Sequence, residues 1–369
     1  MQRWVCRKCS KKWIYPVDRC IYCKGLITKE EGHRLKVVGF TKVFVPSPMH
    51  PIVPYNILIL EDENGNRIPH KTMREYKIGD KYEEKSSKNE HAVSIVKVKY
   101  DVLEAVKKSL ALIGWAPKKD ARILLKPNIE DSAYPYQAIT TNPQVIDAVI
   151  QLLKVQGVPV RNITVAEQPD PGVDIKKALE RTEIWQVCEK HKVRFINLAD
   201  TEFEKKSVEK YEFEISKEVL DKDAIINIPV LKTNSLIGIS GAMENMRRCL
   251  SSKNQEAMLK GNPLEALAYL HKALPKYLTI GDGTIGMQGD GPLQNGEPAF
   301  LNLILASRDP VALDMVFCEL AMLPAAPYLK LASKASIGQT ENIEVVGDEV
   351  EAVKFQLKAP RAPKPLKEV

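Results

Sequence analysis

From about residue 101 the chain alternates short apolar runs with stretches whose apolar residues recur at helical spacing. ARILLKPN, NITVAEQ, VRFINLA, AIINIPVLKTN, YLTIGDGT and FLNLILASRD read as strands. NPQVIDAVIQLLKVQG, PLEALAYLHKAL and DPVALDMVFCELAML read as helices. In the first of these helices Pro143 lies near the start and Gly157 supplies the stop. Strands alternating with helices predict an α/β domain with a largely parallel sheet. Before residue 100 the pattern differs. HRLKVVGFTKVFV, YNILILEDENGNRIP and HAVSIVKVKY are β-prone runs broken by Pro, Gly and the turn signal Glu63-Asn64-Gly65-Asn66. Such strands, with no helices between them, predict a small β-barrel. The pattern therefore predicts a multidomain chain, with a knot over residues 1–30, a barrel over 31–100, an α/β domain over 101–350 and an extended tail over 351–369.

The knot is predicted by its cysteines. Four of the seven in the chain, Cys6, Cys9, Cys20 and Cys23, form two C-x-x-C pairs ten residues apart. Each pair can offer two thiolates to one tetrahedral ion, and four sulfur ligands close the coordination sphere. Structural Zn2+ in a rubredoxin-like ribbon is the expected metal, with iron in the same geometry as the alternative. Cys188, Cys249 and Cys318 have no such spacing and read as buried apolar residues.

Composition narrows the picture. With 369 residues, 44% hydrophobic and 27% charged, the chain is long and apolar enough for two or three cored domains. The start has no apolar run of signal-peptide length, and no stretch suits a membrane span, so a cytoplasmic protein is expected. The net charge of +7 is unevenly placed: residues 1–100 hold 20 Lys/Arg against 11 Asp/Glu, and the remainder holds 34 against 36. An acidic partner or phosphorylated ligand would suit the N-terminal module. No basic run of the kind that marks nucleic-acid binding is present, so nucleic acid is not the expected partner.

Four predicted strands end in polar loops that periodicity does not require. These hold Lys126-Pro127-Asn128, Glu167 in VAEQPDPG, Lys232-Thr233-Asn234, and Asp282 with Gly289, Asp290 and Gly291 in GDGTIGMQGDGP. In a parallel sheet the C-terminal ends of strands share one edge, and ligands bind in the crevice there. Lys126 and Lys232 would polarise an anionic carbonyl group while Asp282, Asp290 or Glu167 moves a proton. Asn128, Asn234, Arg247 and Arg248 would contact the ligand, and the glycine amides of Gly289 and Gly291 would approach a phosphate or carboxylate. No G-x-G-x-x-G or Walker sequence supports a dinucleotide or ATP site. Asp309, before Pro310, reads as a helix N-cap, and Asp314 as either a buried partner or a site carboxylate.

Two resemblances follow from these motifs. The order C-x-x-C, C-x-x-C, VPYNILILEDENGNR and YKIGDKYE over residues 1–100 resembles the zinc ribbon plus OB-fold family called domain of unknown function 35. That resemblance implies binding of an acyl-CoA, a coenzyme A thioester, or bridging to a thiolase-like partner. LLKPNI, TTNPQVIDAVIQLL, INIPVLKTN, GAMENMRR, GDGTIGMQGDGP and LASRDPVALD resemble domain of unknown function 362. There the chain has Asn234 where relatives commonly place His. Three readings stand at this stage: an enzyme acting on an acyl thioester or carboxylated metabolite, a noncatalytic scaffold in a thiolase-type complex, and an iron-dependent redox protein. Oligomerisation is compatible with each.

Overall fold

A computed structural model describes residues 1–47, 50 and 52–361. The chain is multidomain, with a cysteine cluster at its N-terminus and a mixed, largely parallel sheet behind it. In the ribbon, Gln2–Cys6 pairs antiparallel with Lys12–Trp13 on one side and Ile27–Glu31 on the other. Its buried hydrophobic core is Cys6, Trp13 and Cys20.

Leu35–Val43, Tyr55–Glu61, Arg67–Thr72 and Lys81–Tyr82 then form a second antiparallel sheet, centred on Val37, Leu58 and Leu60. The expected turn after Glu61 is held by Asp62, whose carboxylate accepts from the Asn64 and Asn66 amides, and Gly65 takes a φ of 72°. That left-handed backbone is one that glycine adopts without steric cost. Arg67–Thr72 and Lys81–Tyr82 end the ladder without pairing to each other among the described residues. A closed barrel is therefore not shown. The run HAVSIVKVKY also moves. Val93–Lys97 lies in the main sheet, antiparallel to Leu303–Ser307 and parallel to Val345–Gly347. Its burial on both faces, across Val93, Ser94, Ile95 and Val96, is what a strand covered by helices on both sides requires.

The main sheet runs Arg194–Asn197, Ile163–Glu167, Ile123–Pro127, Ala224–Ile228, Leu278–Gly289, Leu303–Ser307, Val93–Lys97, Val345–Gly347. The first five strands are parallel, and Leu303–Ser307 is antiparallel to both its neighbours. Successive strand residues serve opposite faces. Ile123 and Leu125 join helices Val102–Leu112, Pro143–Val155 and Ile184–His191 in one core. Leu124 joins Pro263–Ala273, Pro310–Leu320 and Pro327–Lys334 in the other. Each fully buried Leu or Ile contributes about 2 kcal/mol of transfer free energy. The helix Pro143–Val155 is capped by Asn142, whose side chain accepts from the Gln144 amide, with proline in its first turn. No helix among the described residues is long and apolar enough to cross a membrane.

The N-terminal units rest on this domain through Lys29–Glu104 at 2.6 Å, Lys107–Glu31 at 3.1 Å and Arg74–Glu349 at 2.6 Å. Exposed pairs of this kind are worth under about 1 kcal/mol each. Beyond the short helix Val350–Val353 the chain is extended. Leu357 is buried, and Arg361 pairs with Asp290 at 2.6 Å. Residues 362–369 of the expected tail lie outside the described residues.

Asp309 caps its helix as the sequence predicts, accepting from the Val311 and Ala312 amides. Asp314, one turn further on, is completely buried. It accepts from the Ala242 amide at 2.6 Å, the Met243 amide at 3.1 Å and the Tyr328 hydroxyl at 3.0 Å. Burial pushes its carboxyl up from 3.8 to about 7, against the donated hydrogen bonds. The native state thus holds this proton more tightly than the unfolded chain. The group's contribution to stability is fully present below its unfolded value, falls as pH rises between about 4 and about 7, and is constant above that. We expect the difference in unfolding free energy between the wild type and Asp314→Asn to vary with pH over that window alone. Parallel urea titrations would check it; a difference independent of pH would refute it.

Candidate active-site crevice and metal centre

The four ligand sulfurs of Cys6, Cys9, Cys20 and Cys23 lie within 4.8 Å of one another. Cys6 and Cys23 Sγ are 3.4 Å apart, and Cys9 and Cys20 Sγ are 3.5 Å apart. Sulfurs at about 2.3 Å from a tetrahedral ion would stand about 3.8 Å apart, so the cluster fits a metal with little adjustment. The chain turns tightly to achieve this. The Lys8 and Cys23 amides donate to Cys6 and Cys20 Sγ, and a Cβ on Gly25 would come within 2.9 Å of Cys6 Sγ.

The polar strand ends do converge, in two layers. The deeper layer holds Lys126 and Glu167, from neighbouring parallel strands, paired at 2.7 Å with neither side chain exposed. Burial raises the Glu167 carboxyl above the usual range, and Lys126 opposes this. Lys232 is also buried. Its Nζ donates to Asn128 Oδ1 at 2.7 Å, Glu130 Oε2 at 2.9 Å and the Ile139 carbonyl at 3.1 Å. Asn245 ties this layer together, donating to Asn227 Oδ1 and to the Pro127 carbonyl.

The outer layer is a crevice of ≈ 180 Å³ in which Glu130, Asp170, Asn234, Glu244, Arg247 and Arg248 meet an apolar wall. Arg248 is 3% exposed and pairs with Asp170 at 2.5 Å. Burial disfavours its charge, but Asp170, then Glu130 and Glu244, more than compensate and raise its pKa. Glu244 likewise feels burial first, yet Arg247 and Arg248 hold it below the ordinary carboxylate range. Both groups are therefore charged at neutral pH. Arg247 gives two hydrogen bonds to Glu244 Oε1 and a third to Gln255. Asn234 forms an Asx turn, accepting from the Leu236 and Ile237 amides.

Several residues expected at the site lie elsewhere or are otherwise engaged. Asp282 is buried under the loop before the Pro143 helix, accepting from Asn142 N at 2.7 Å and from Thr284. Asp290 faces the tail and is ion-paired with Arg361. The Gly289 amide donates to the Lys358 carbonyl and the Gly291 amide to the Gly289 carbonyl, so neither is open to an anion. Lys126 and Glu167 satisfy each other beneath the crevice. Conversely, Glu130, Asp170 and Glu244 line the crevice, and sequence reasoning gave them no site role. Glu130 and Asp170 are two and three residues beyond the expected Asn128 and Glu167, in the same strand-end loops.

Chemically, the crevice offers arginine for an anion, carboxylates for proton transfer, and a lysine that stabilises the Glu130 carboxylate from behind. A thylakoid-associated protein of Synechocystis sp., sll1697, is 27% identical over 242 residues, covering 64% of this chain and 74% of its own. Among solved structures, the Ltp2-ChsH2(DUF35) aldolase is similar over 22% of this chain and 68% of its own, at 17% identity and a TM-score of 0.19. The lactate racemase apoprotein from Thermoanaerobacterium thermosaccharolyticum is similar over 67% of this chain and 61% of its own, at 13% identity and a TM-score of 0.40. The family model described as a domain of unknown function, DUF362, matches residues 123–319. That span runs from the Lys126 strand to the end of the Asp314 helix and encloses the whole crevice, so the chain belongs to the DUF362 family.

Proposed function

We propose that the C-terminal domain is an enzyme acting on a small carboxylated metabolite bound in the crevice. One observation carries this reading. Arg248, almost wholly buried, lines the crevice and has an Nε with no hydrogen-bond partner among the described residues. An unpaired guanidinium N–H in the interior is costly, and a ligand carboxylate matches the planar fork of the group. Glu130 is the proposed proton acceptor. Its Oε2 is held by Lys232, and its Oε1 takes no hydrogen bond among the described residues. With Lys232 counted, three cations face three carboxylates. That balance favours a ligand with one carboxylate over a polyphosphate.

For the N-terminal module we infer a structural zinc site, consistent with a reducing compartment, and a role in holding an acyl-CoA or docking a thiolase-like partner. A cavity of ≈ 320 Å³ between the module and helix Val102–Leu112 supports it, lined by Trp4, Leu60, Ile68, Tyr82, Lys97 and Lys99 among others, with Lys107 and Lys108 already paired to Glu31 and Glu84. Its largely apolar lining suits the acyl body of a thioester.

Native mass spectrometry of wild type and Arg248→Gln, isolated from their source cells, tests both parts. A carboxylated metabolite retained by wild type and reduced about tenfold or more in the variant supports the enzyme reading. Equal retention sinks it. Retained thioester or thiolase-like subunit supports the module's role, and recovery of neither refutes it.

A further inference from the structure

The carboxylates of the crevice share an uneven pattern. Glu130 gives Oε2 to Lys232, Asp170 gives Oδ1 to Arg248, and Glu244 gives Oε1 to Arg247. The second oxygen of each accepts no hydrogen bond among the described residues, and all three residues line one space. Arg248, whose buried Nε has no hydrogen-bond partner among the described residues, lines the same space. The site therefore holds unused acceptors and an unused buried cationic donor together, so a simple anion would satisfy only half of it.

A divalent cation is a poor match for the acceptors. The cysteine cluster is the only group of three or more possible metal ligands within ligating reach of one another among the described residues. A ligand ammonium suits them better, because it carries three donors that can reach separated oxygens. The lining of the same space also includes an apolar wall, formed by Leu236, Ile237, Met258, Leu259 and Leu267. It offers a place for a hydrocarbon side chain and nothing for a third charge.

We infer that the ligand of this crevice is a zwitterion, an α-amino acid or close derivative with an aliphatic side chain. Its carboxylate completes Arg248, its ammonium lies among Glu130, Asp170 and Glu244, and its side chain covers the leucine-rich wall. This rests on the reading of the crevice as a carboxylate site and adds the amine and the side chain to it.

Calorimetric titration of the metal-loaded full-length chain with L-leucine, isocaproate and isoamylamine separates the two ideas. These probes share one hydrocarbon body and differ in charge. The expected result is that leucine binds about tenfold or more tighter than either half-molecule, since a site built to hydrogen-bond a group rejects the analogue lacking it. Asp170→Asn, at a side chain 37% exposed, should erase the preference for leucine over isocaproate while isocaproate still binds. Isocaproate binding as tightly as leucine would overturn the zwitterion and leave the carboxylate reading intact. Isoamylamine matching leucine would overturn it by removing any need for Arg248. If no probe binds, both ideas fail.

Discussion

Stripping the metal with a strong chelator, or replacing Cys20 by Ser, will unfold residues 1–31 while the α/β domain stays folded. The ribbon has three buried core residues, two of them cysteines, and strands as short as Lys12–Trp13. A unit of that size cannot offset its conformational entropy by burial alone. Structural zinc contributes on the order of 10 kcal/mol to such a fold, which disappears with the metal. The α/β domain has two cores of its own, one on each face of the sheet, and does not depend on the cluster. Amide hydrogen exchange on the full chain reads both halves at once. Protection in Gln2–Cys6 and Ile27–Glu31 should be lost, while Ile123–Pro127 and Ala224–Ile228 keep theirs. Elemental analysis of the untreated protein should give one zinc per chain; stoichiometric iron would move the module to the redox reading. A ribbon that stays protected without metal would contradict the role given to the four sulfurs.

Lys126→Met should lower stability by roughly 3–5 kcal/mol, the cost of leaving a buried carboxylate without its ion-pair partner. Neither Lys126 nor Glu167 has exposed side-chain surface, and Glu167 Oε1 also accepts from the Gln168 amide at 2.7 Å. Burial already raises the Glu167 pKa, so in the variant this group takes up a proton and the cost stays within that range. The double variant Lys126→Met, Glu167→Gln should recover most of the loss, because two neutral groups of similar shape need no counter-charge. Urea unfolding of the four proteins gives the coupling directly. Additive losses would mean the pair is not the stabilising unit. A stable Lys126→Met that loses only ligand affinity would return Lys126 to the crevice floor as a binding residue.

The sequence carried the elements because their signals are local. Pro143 and Asp309-Pro310 each state a helix start within a residue or two; both helices begin there, and the Asp309 cap forms as expected. The C-x-x-C spacing states the metal cluster in the same way. Val93–Lys97 was misplaced for the opposite reason: HAVSIVKVKY follows other β runs in the chain, and nothing within it says which sheet it joins. Its partners are Leu303–Ser307 and Val345–Gly347, over 200 residues away. Closure of the barrel is not shown among the described residues, since strand closure is a relation between edges that no single strand encodes.

The candidate site divides along the same line. Which loops reach the shared sheet edge follows from parallel topology, so Lys126, Asn128, Lys232, Asn234 and Arg248 were legible as strand-end or motif residues. Whether each faces the crevice depends on one or two residues of register and on what packs above it. Lys126 is sealed by Glu167, Asp290 is taken by Arg361 of the tail, and Glu130, two places beyond Asn128, lines the open space. The sequence by itself determined the cysteine cluster, the alternation of strands and helices and the loops that share one edge, because each depends on neighbours a few residues apart. Only the tertiary structure decided which charges pair in the interior and which carboxylate oxygens stay unpaired, because burial is set by side chains brought together across 41 residues of chain for Lys126 and Glu167 and 102 for Lys232 and Glu130.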